Sequence, residues 1–333
     1  MRDIQSLICP QKSAARGAET QRSAEPRVAF LVEGIRSMNE THPPKLPTPM
    51  IDAVAELLQA TDLQSLGTLA HNLNGHTPFS VASFLSQLFA RAPESLIRSH
   101  TPTEMAEIIR GCVTAVLNLP HQPDRISLAS MRTDTSTAIF LALRDQPFII
   151  SSISEALSDA DIKVTAFLHP IVHAHGESVA VSYIEVDPSC AEHIPALIPR
   201  LREILVTLIQ VELDFAPMQA LATSTAKSLT DSLGRSNFGA VQSSEASEFL
   251  QWLVEGCFFF IGAARFSNTQ GQEPLDSLGV WRSHGSYIDT LKDEVREDLE
   301  VLLRENLDIS IRKLRTVSHV HRRATLVHVL IHL

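Results

Sequence analysis

The reading of the fold turns on residues 140–187, "FLALRDQPFIISSISEALSDADIKVTAFLHPIVHAHGESVAVSYIEVD". Its periodicity changes twice. "TAIFLALRD" places Ile139, Leu141 and Leu143 on one parity, as a strand does, and "FIISSISEALSDADI" places Ile149, Ile150, Ile153 and Leu157 at helical spacing. "KVTAFLHPIVHAHG" and "ESVAVSYIEVD" then read as two strands joined by a turn at Gly176, and "HIPALIPRLREILVTLIQVELDF" reads as an amphipathic helix. The order β-α-β-β-α over 134–215 makes most of a ferredoxin-like unit, with two helices on one face of an antiparallel sheet. Between the first strand and helix stands "RDQPF". It reads as a turn in which Asp145 or Gln146 caps the helix, Pro147 sits in its first turn and Phe148 starts the buried stripe.

Working outward, residues 1–48 are rich in Pro, Ser, Arg and Glu and read as a mobile leader, with a short strand at "RVAFLVEGI". Residues 49–125 form a helical unit: "MIDAVAELLQA" and "PFSVASFLSQLFARA" each carry one apolar stripe, and Thr101–Glu104 makes a capping box. The ferredoxin-like domain takes 126–222. Polar residues from Thr223 to Ser244 make a linker. A second α+β unit, 240–333, holds the helix "SEASEFLQWLVEG", the strand "CFFFIGAARF", the loop "SNTQGQEPLDSLG" and a charged helix, Asp289–Asn306, read as a solvated face laced with i,i+4 pairs. It ends in an unpaired β-like run, "TLVHVLIHL", and so looks truncated.

The chain has 333 residues and a formal net charge of −10. That length allows two domains with real cores, and the acidic balance disfavours nucleic acid as a partner. Cysteines 9, 112, 190 and 257 form no C-x-x-C pair or disulfide framework. No secretory signal and no apolar run long enough for a bilayer is evident, so the expectation is a cytoplasmic protein without a membrane partner.

Familiar catalytic signatures are missing from the sequence. No two glycines are separated by one residue, so there is no G-x-G-x-x-G loop, and "GRSNFGA" has Ala240 where a phosphate-binding loop needs Lys. His169, His173 and His175 in "HPIVHAH" share parity and would project from one face of a continuous strand. They are read as strand histidines, since no Cys or carboxylate lies near enough in sequence to complete a metal set. Cys190 and His193 stand at helical spacing and are read as residues near a helix start. The residues alone support a ligand-binding or assembly module, with no catalytic, cofactor or metal site expected in this chain.

Several blocks in colinear order carry a resemblance: "RDQPF", "HPIV", "SYIEVD", "EASEFLQWLVEGCFFFIGAARF", "LGVWR", the upstream "LFARAPESLIRSHTPTEMAEI" and the downstream "KLRTVSHVHRRA". Over roughly residues 80–325 the chain resembles the N-terminal region of the large bacterial NAD-specific glutamate dehydrogenases. It departs from that pattern at "TLVHVLIHL" and at the alanines of "FFFIGAARF". The resemblance implies ACT-like regulatory domains ahead of a distant dehydrogenase domain that would carry the NAD site and the chemistry, oxidative deamination of glutamate to 2-oxoglutarate. It further implies a homo-oligomer, with the strand "SVAVSYIEVD" drawn into edge pairing, and a small amino-acid effector held at Arg144, Asp145 and Gln146. The alternative is a free-standing amino-acid-sensing module that regulates a partner.

Overall fold

The computed structural model describes residues 87–88, 92–132, 136–231, 240–257, 259–266, 274–305, 309–321 and 323–331. The leader, its strand and most of the two upstream helices expected from the sequence lie outside the described residues. The described chain is an α+β protein with antiparallel sheets, in two compact units divided between residues 202 and 203.

The first unit opens with α1 (Glu94–Ser99) and α2 (Pro102–Asn118). The expected capping box is present. Thr101 Oγ1 accepts from the Glu104 N–H at 3.3 Å, and Glu104 Oε2 accepts from the Thr101 N–H at 2.8 Å, so two end donors of α2 are satisfied reciprocally. There follow β1 (Ile126–Arg132), β2 (Thr137–Arg144), α3 (Ile149–Asp159), β3 (Val164–Leu168), β4 (Ile171–Ala174), β5 (Glu177–Val186) and α4 (Ile194–Asp231), whose first turns belong to this unit.

The sheet runs β1-β2-β5-β3, with β4 also on β5. β1 is an addition to the expected β-α-β-β-α. It pairs antiparallel with β2 from Ile126↔Leu143 to Arg132↔Thr137 and fills the edge beside the first strand of that motif. A fourth, C-terminal strand would take the same place in a ferredoxin-like order. Arg202 of α4 ties this edge down, with Nη1 2.5 Å from Asp124 Oδ2 and 3.1 Å from the Ile126 carbonyl.

Both sheet faces are covered. Ala138, Phe140 and Ala142 of β2 and Val179, Val181 and Tyr183 of β5 share one core with Ile108, Ile109, Cys112 and Val116 of α2. Ile139, Leu141 and Leu143 point the other way and are fully buried. Their face is closed by α3 and the start of α4, whose buried Ile149, Ile153, Leu157, Ile194, Leu197 and Leu201 lie outside the α2 core. An Arg200–Asp159 ion pair at 3.0 Å joins those two helices. Burial from two sides explains why β2 reads as a nearly continuous apolar run.

Two local expectations are corrected here. "KVTAFLHPIVHAHG" is two strands, because Pro170 has no N–H for the ladder; the edge breaks at His169–Pro170, and the Pro170 carbonyl accepts from the Val181 N–H at 2.9 Å. β5 pairs with β2 on one side and with β3 and β4 on the other, so "SVAVSYIEVD" has no open edge to offer a partner. The β4–β5 turn is His175-Gly176 with φ of 54° and 77°, the two-residue positive-φ hairpin loop that matches strand twist.

The second unit contains the rest of α4, α5 (Ala240–Trp252) running into a π-turn (Leu253–Cys257), β6 (Gly262–Phe266), β7 (Pro274–Gly279), α6 (Ser286–Glu305), β8 (Ile309–Val317) and β9 (Thr325–Ile331). The expected polar linker from Thr223 is largely helical: α4 persists to Asp231 and α5 starts at Ala240. Beneath its polar surface Ala226 and Leu229 pack on Ala246, Phe249 and Leu250 of α5. The hydroxyls of Thr223, Ser228 and Thr230 donate to carbonyls four residues back, which satisfies them within a helix. "CFFFIGAARF" becomes strand only from Gly262, and part of the expected loop, Pro274–Gly279, is its partner strand. The terminal run is not unpaired, since β9 pairs antiparallel with β8.

Two side-chain networks organise this unit. Asp214 on α4 is buried, and its carboxylate accepts from the Gly279 N–H (2.8 Å), Arg282 Nη1 (2.7 Å) and Gln210 Nε2 (2.6 Å). The charged face of α6 carries an intrahelical pair, Arg296–Asp293 at 2.8 Å, and also reaches β8: Asp298 accepts from Arg312 Nη1 at 2.9 Å, and Glu294 from Thr316 Oγ1 at 2.6 Å and the Arg315 N–H at 2.7 Å. By length and composition the helical run Pro188–Asp231 is long and apolar enough to cross a bilayer, which the sequence reading missed. Leu197, Leu201, Leu205, Leu208 and Val211 of that run are core residues, each 3% exposed or less.

Candidate functional site

β2 ends at Arg144, whose side chain is exposed. The Asp145 N–H donates to the Ser178 carbonyl at 2.8 Å, which extends the ladder by one residue and removes that N–H from any ligand. The capping expectation is corrected. Phe148 is the N-cap, at φ 68°, and no side chain caps the helix, which starts at Ile149. Pro147 is therefore ahead of the helix. It biases Gln146 to extended backbone, and the reversal into α3 is left to Phe148. The Phe148 carbonyl accepts from the Ser152 N–H and the Ser151 hydroxyl, both at 3.0 Å.

The notable group at this turn is Gln146. Its Nε2 is buried and has no hydrogen-bond partner among the described residues. An amide donor shut away from water costs free energy until an acceptor meets it. The first-turn N–H groups of α3 lack intrahelical acceptors and lie at the positive end of the helix dipole. Each is a donor of the kind that a carboxylate or carbonyl oxygen accepts from. Arg144 is the neighbouring cation and Asp145 the opposing charge.

The histidines of "HPIVHAH" do not converge. His169 sits at the break between β3 and β4, with Nδ1 2.8 Å from Ser182 Oγ, and burial pushes its pKa down to about 4. His173 is exposed, and its N–H donates to Gln87 Oε1 at 3.1 Å. His175 lies in the hairpin loop with Nε2 3.0 Å from the Val116 carbonyl of α2. The shared face failed because Pro170 splits the strand and His175 lies in its turn. Among the described residues no group of three His, Cys, Asp or Glu side chains is placed to hold a metal.

Cys190 is buried near the start of β3, where its Sγ accepts the Lys163 N–H at 3.4 Å; His193 is exposed. Cys112 faces the α2 core, and burial raises its thiol to about 12, so it stays protonated. The pairing of His169 with Ser182 escaped the sequence reading, since the two are brought together only by β3 and β4 lying along β5.

Comparison with known proteins places this unit. Residues 84–191 match the glutamate dehydrogenase ACT1 domain family. That span begins ahead of α1 and takes in the whole sheet from β1 to β5. Over that span the chain is similar to the ACT1 domain of glutamate dehydrogenases. No curated protein matches the chain.

Proposed function

We propose that the chain is the N-terminal regulatory and assembly segment of a large NAD-specific glutamate dehydrogenase, with residues 126–222 as its ACT-like domain. The observation that carries this reading is the ACT1 match over 84–191, coincident with the antiparallel β1-β2-β5-β3 sheet. Oxidative deamination of glutamate with NAD would belong to a dehydrogenase domain elsewhere in the parent enzyme. The setting would be the cytoplasm and the working state a homo-oligomer.

The second unit is read as another ACT-like unit. Its order, α5-β6-β7-α6-β8-β9, repeats α2-β1-β2-α3-β3/β4-β5 of the first, helix then hairpin then helix then strand pair. In the first unit the two strand pairs join through β2 and β5; in the second, β6–β7 and β8–β9 are separate two-stranded sheets.

The effector would be a small amino acid at the β2–α3 turn, its carboxylate accepting from Gln146 Nε2 and the α3 N-terminus, with Arg144 adding a charge-assisted bond. The test is a thermal-shift screen of amino acids on the wild-type chain and on Gln146→Ala. The reading expects stabilisation of the wild type that is lost in the variant. A stabilising amino acid with equal effect on both proteins places the site elsewhere. No effect from any amino acid leaves the turn as a helix start only.

A further inference from the structure

One ionisable side chain is set into the apolar interior of the second unit. β9 alternates as a strand between two cores does. Leu326 and Leu330 pack on the core around Val211, Ile288 and Leu314, while Val329 and Ile331 pack on the core around Phe249 and Leu250. His328 lies between the two leucines and shares their parity, and its side chain is 9% exposed. β9 is thus a strand that two cores have in common, with an imidazole at its middle.

Three charged groups act on that ring. Arg312 is its cross-strand partner on β8, and Asp298 and Glu294 approach it from α6. Nε2 is 2.8 Å from Asp298 Oδ2, yet neither ring nitrogen has an aligned hydrogen bond among the described residues. Both carboxylates are already engaged: Asp298 Oδ1 accepts from Arg312 Nη1 at 2.9 Å, and Glu294 accepts from Thr316 Oγ1 and the Arg315 N–H. Asp214 of α4, the other carboxylate residue buried in this unit among the described residues, is taken up by Gly279, Gln210 and Arg282.

The neutral and protonated rings fare differently in such a place. A neutral imidazole has one N–H, which Nε2 can carry beside Asp298. An imidazolium has two, and the second, on Nδ1, is buried without an acceptor among the described residues. Burial accordingly holds His328 below its usual pKa; Asp298 and Glu294 oppose this, and Arg312 reinforces it.

We infer that β9 is a proton-released strand: neutral His328 lets it seat in both cores, and protonation of that ring in mildly acidic solution frees it from them. Release uncovers Leu326, Val329, Leu330 and Ile331 together, because one strand carries all four. The freed ring, with the ordinary value of about 6.5, binds a proton more readily than the seated one. The seat is therefore fully stable above about pH 6.5 and weakens as pH falls below it.

Hydrogen exchange of the full chain at about pH 7.5 and 5.5, corrected for the intrinsic pH dependence of exchange, reads the seating of β9. Protection over 325–331 should fall by up to about tenfold between the two, the limit set by a freed-state pKa of about 6.5. In His328→Leu, which continues the leucine face, that loss should be absent. If the variant fails to fold, an NMR titration of isotope-labelled histidines in the wild type reads the same point: the His328 ring should change charge below the ordinary histidine range, with the β9 amide signals moving alongside. Equal protection at both pH values in the wild type would overturn the inference. So would an equal loss in a folded His328→Leu variant, or a His328 ring that titrates at or above the ordinary value.

Discussion

Gly111 of α2 rests against the ring of Phe140 on β2. A Cβ added at Gly111 would come within 2.6 Å of three carbons of that ring. Ordinary carbon–carbon contact needs about 3.5 Å, so Gly111→Ala forces an overlap of roughly 1 Å. The ring has little room to yield. Phe140 is 4% exposed, its strand is hydrogen-bonded on both sides, and its ring centroid is 5.5 Å from that of Tyr183, its cross-strand partner. Two effects oppose each other. Ala is a better helix former than Gly by about 1 kcal/mol, whereas overpacking a core costs about 1–3 kcal/mol. An overlap this deep belongs at the upper end, so the expected net loss is about 1–2 kcal/mol. Urea denaturation followed by circular dichroism measures it. Phe140→Leu in the same chain should be worse than the wild type alone but better tolerated with Gly111→Ala than the sum of the two losses, with a coupling of about 1 kcal/mol. If Gly111→Ala stabilises the chain by about 1 kcal/mol, as at an exposed helix position, the close seating of α2 on the sheet is wrong. Simple additivity of the pair would be equally damaging.

Ile153 of α3 is fully buried, and Ile153→Ala should cost about 2–5 kcal/mol in the same denaturation assay. Thr101→Ala removes the cap of α2 and should cost about 0.5–2 kcal/mol, most of which Thr101→Ser should restore. Asp214→Ala leaves the Gly279 N–H and the Gln210 amide without their buried acceptor and should destabilise the second unit by about 3 kcal/mol, read by hydrogen exchange at Gly279. His169 has a folded pKa near 4 against about 6.5 unfolded, so the unfolded chain binds the extra proton; its stability contribution is whole above about pH 6.5 and declines as pH falls toward 4. His169→Gln should flatten the pH dependence of stability in that window, and an unchanged slope would show that His169 is not held neutral.

The strongly patterned elements were legible from residues alone. "TAIFLALR" and "ESVAVSYIEV" are dense in apolar and β-branched side chains, and the Thr101–Glu104 box marks the start of α2. What was illegible depends on tertiary partners. β1, "ISLASMR", mixes Ser, Ala, Met and Arg; it becomes a strand through its seven-pair register with β2. The helical course of 223–231 hides behind hydroxyls that suit turns as well as helices until Ala226 and Leu229 find α5. The turn was placed correctly at 145–148, but its detail was not. That Phe148, a bulky residue, would take φ 68° has no local signal, and neither does the burial of Gln146 Nε2.

The position of β1 has a consequence for how the first unit closes. In a β-α-β-β-α order the strand at the open side of the first motif strand normally arrives last, after the second helix, and the chain must turn back to place it. Here that side is already filled from upstream, by a strand joined to β2 across the short interval 133–136. α4 is thereby released from returning a strand and can continue as one helix from Ile194 to Asp231. The cost is that the sheet depends on residues N-terminal to the motif. Arg202 marks that dependence, since the one guanidinium reaches both Asp124 and the Ile126 carbonyl at the start of β1. A version of the unit cut to begin at Thr137 would lose the edge strand and expose the outer backbone groups of β2, an apolar strand that has no charged residue before Arg144 to guard it.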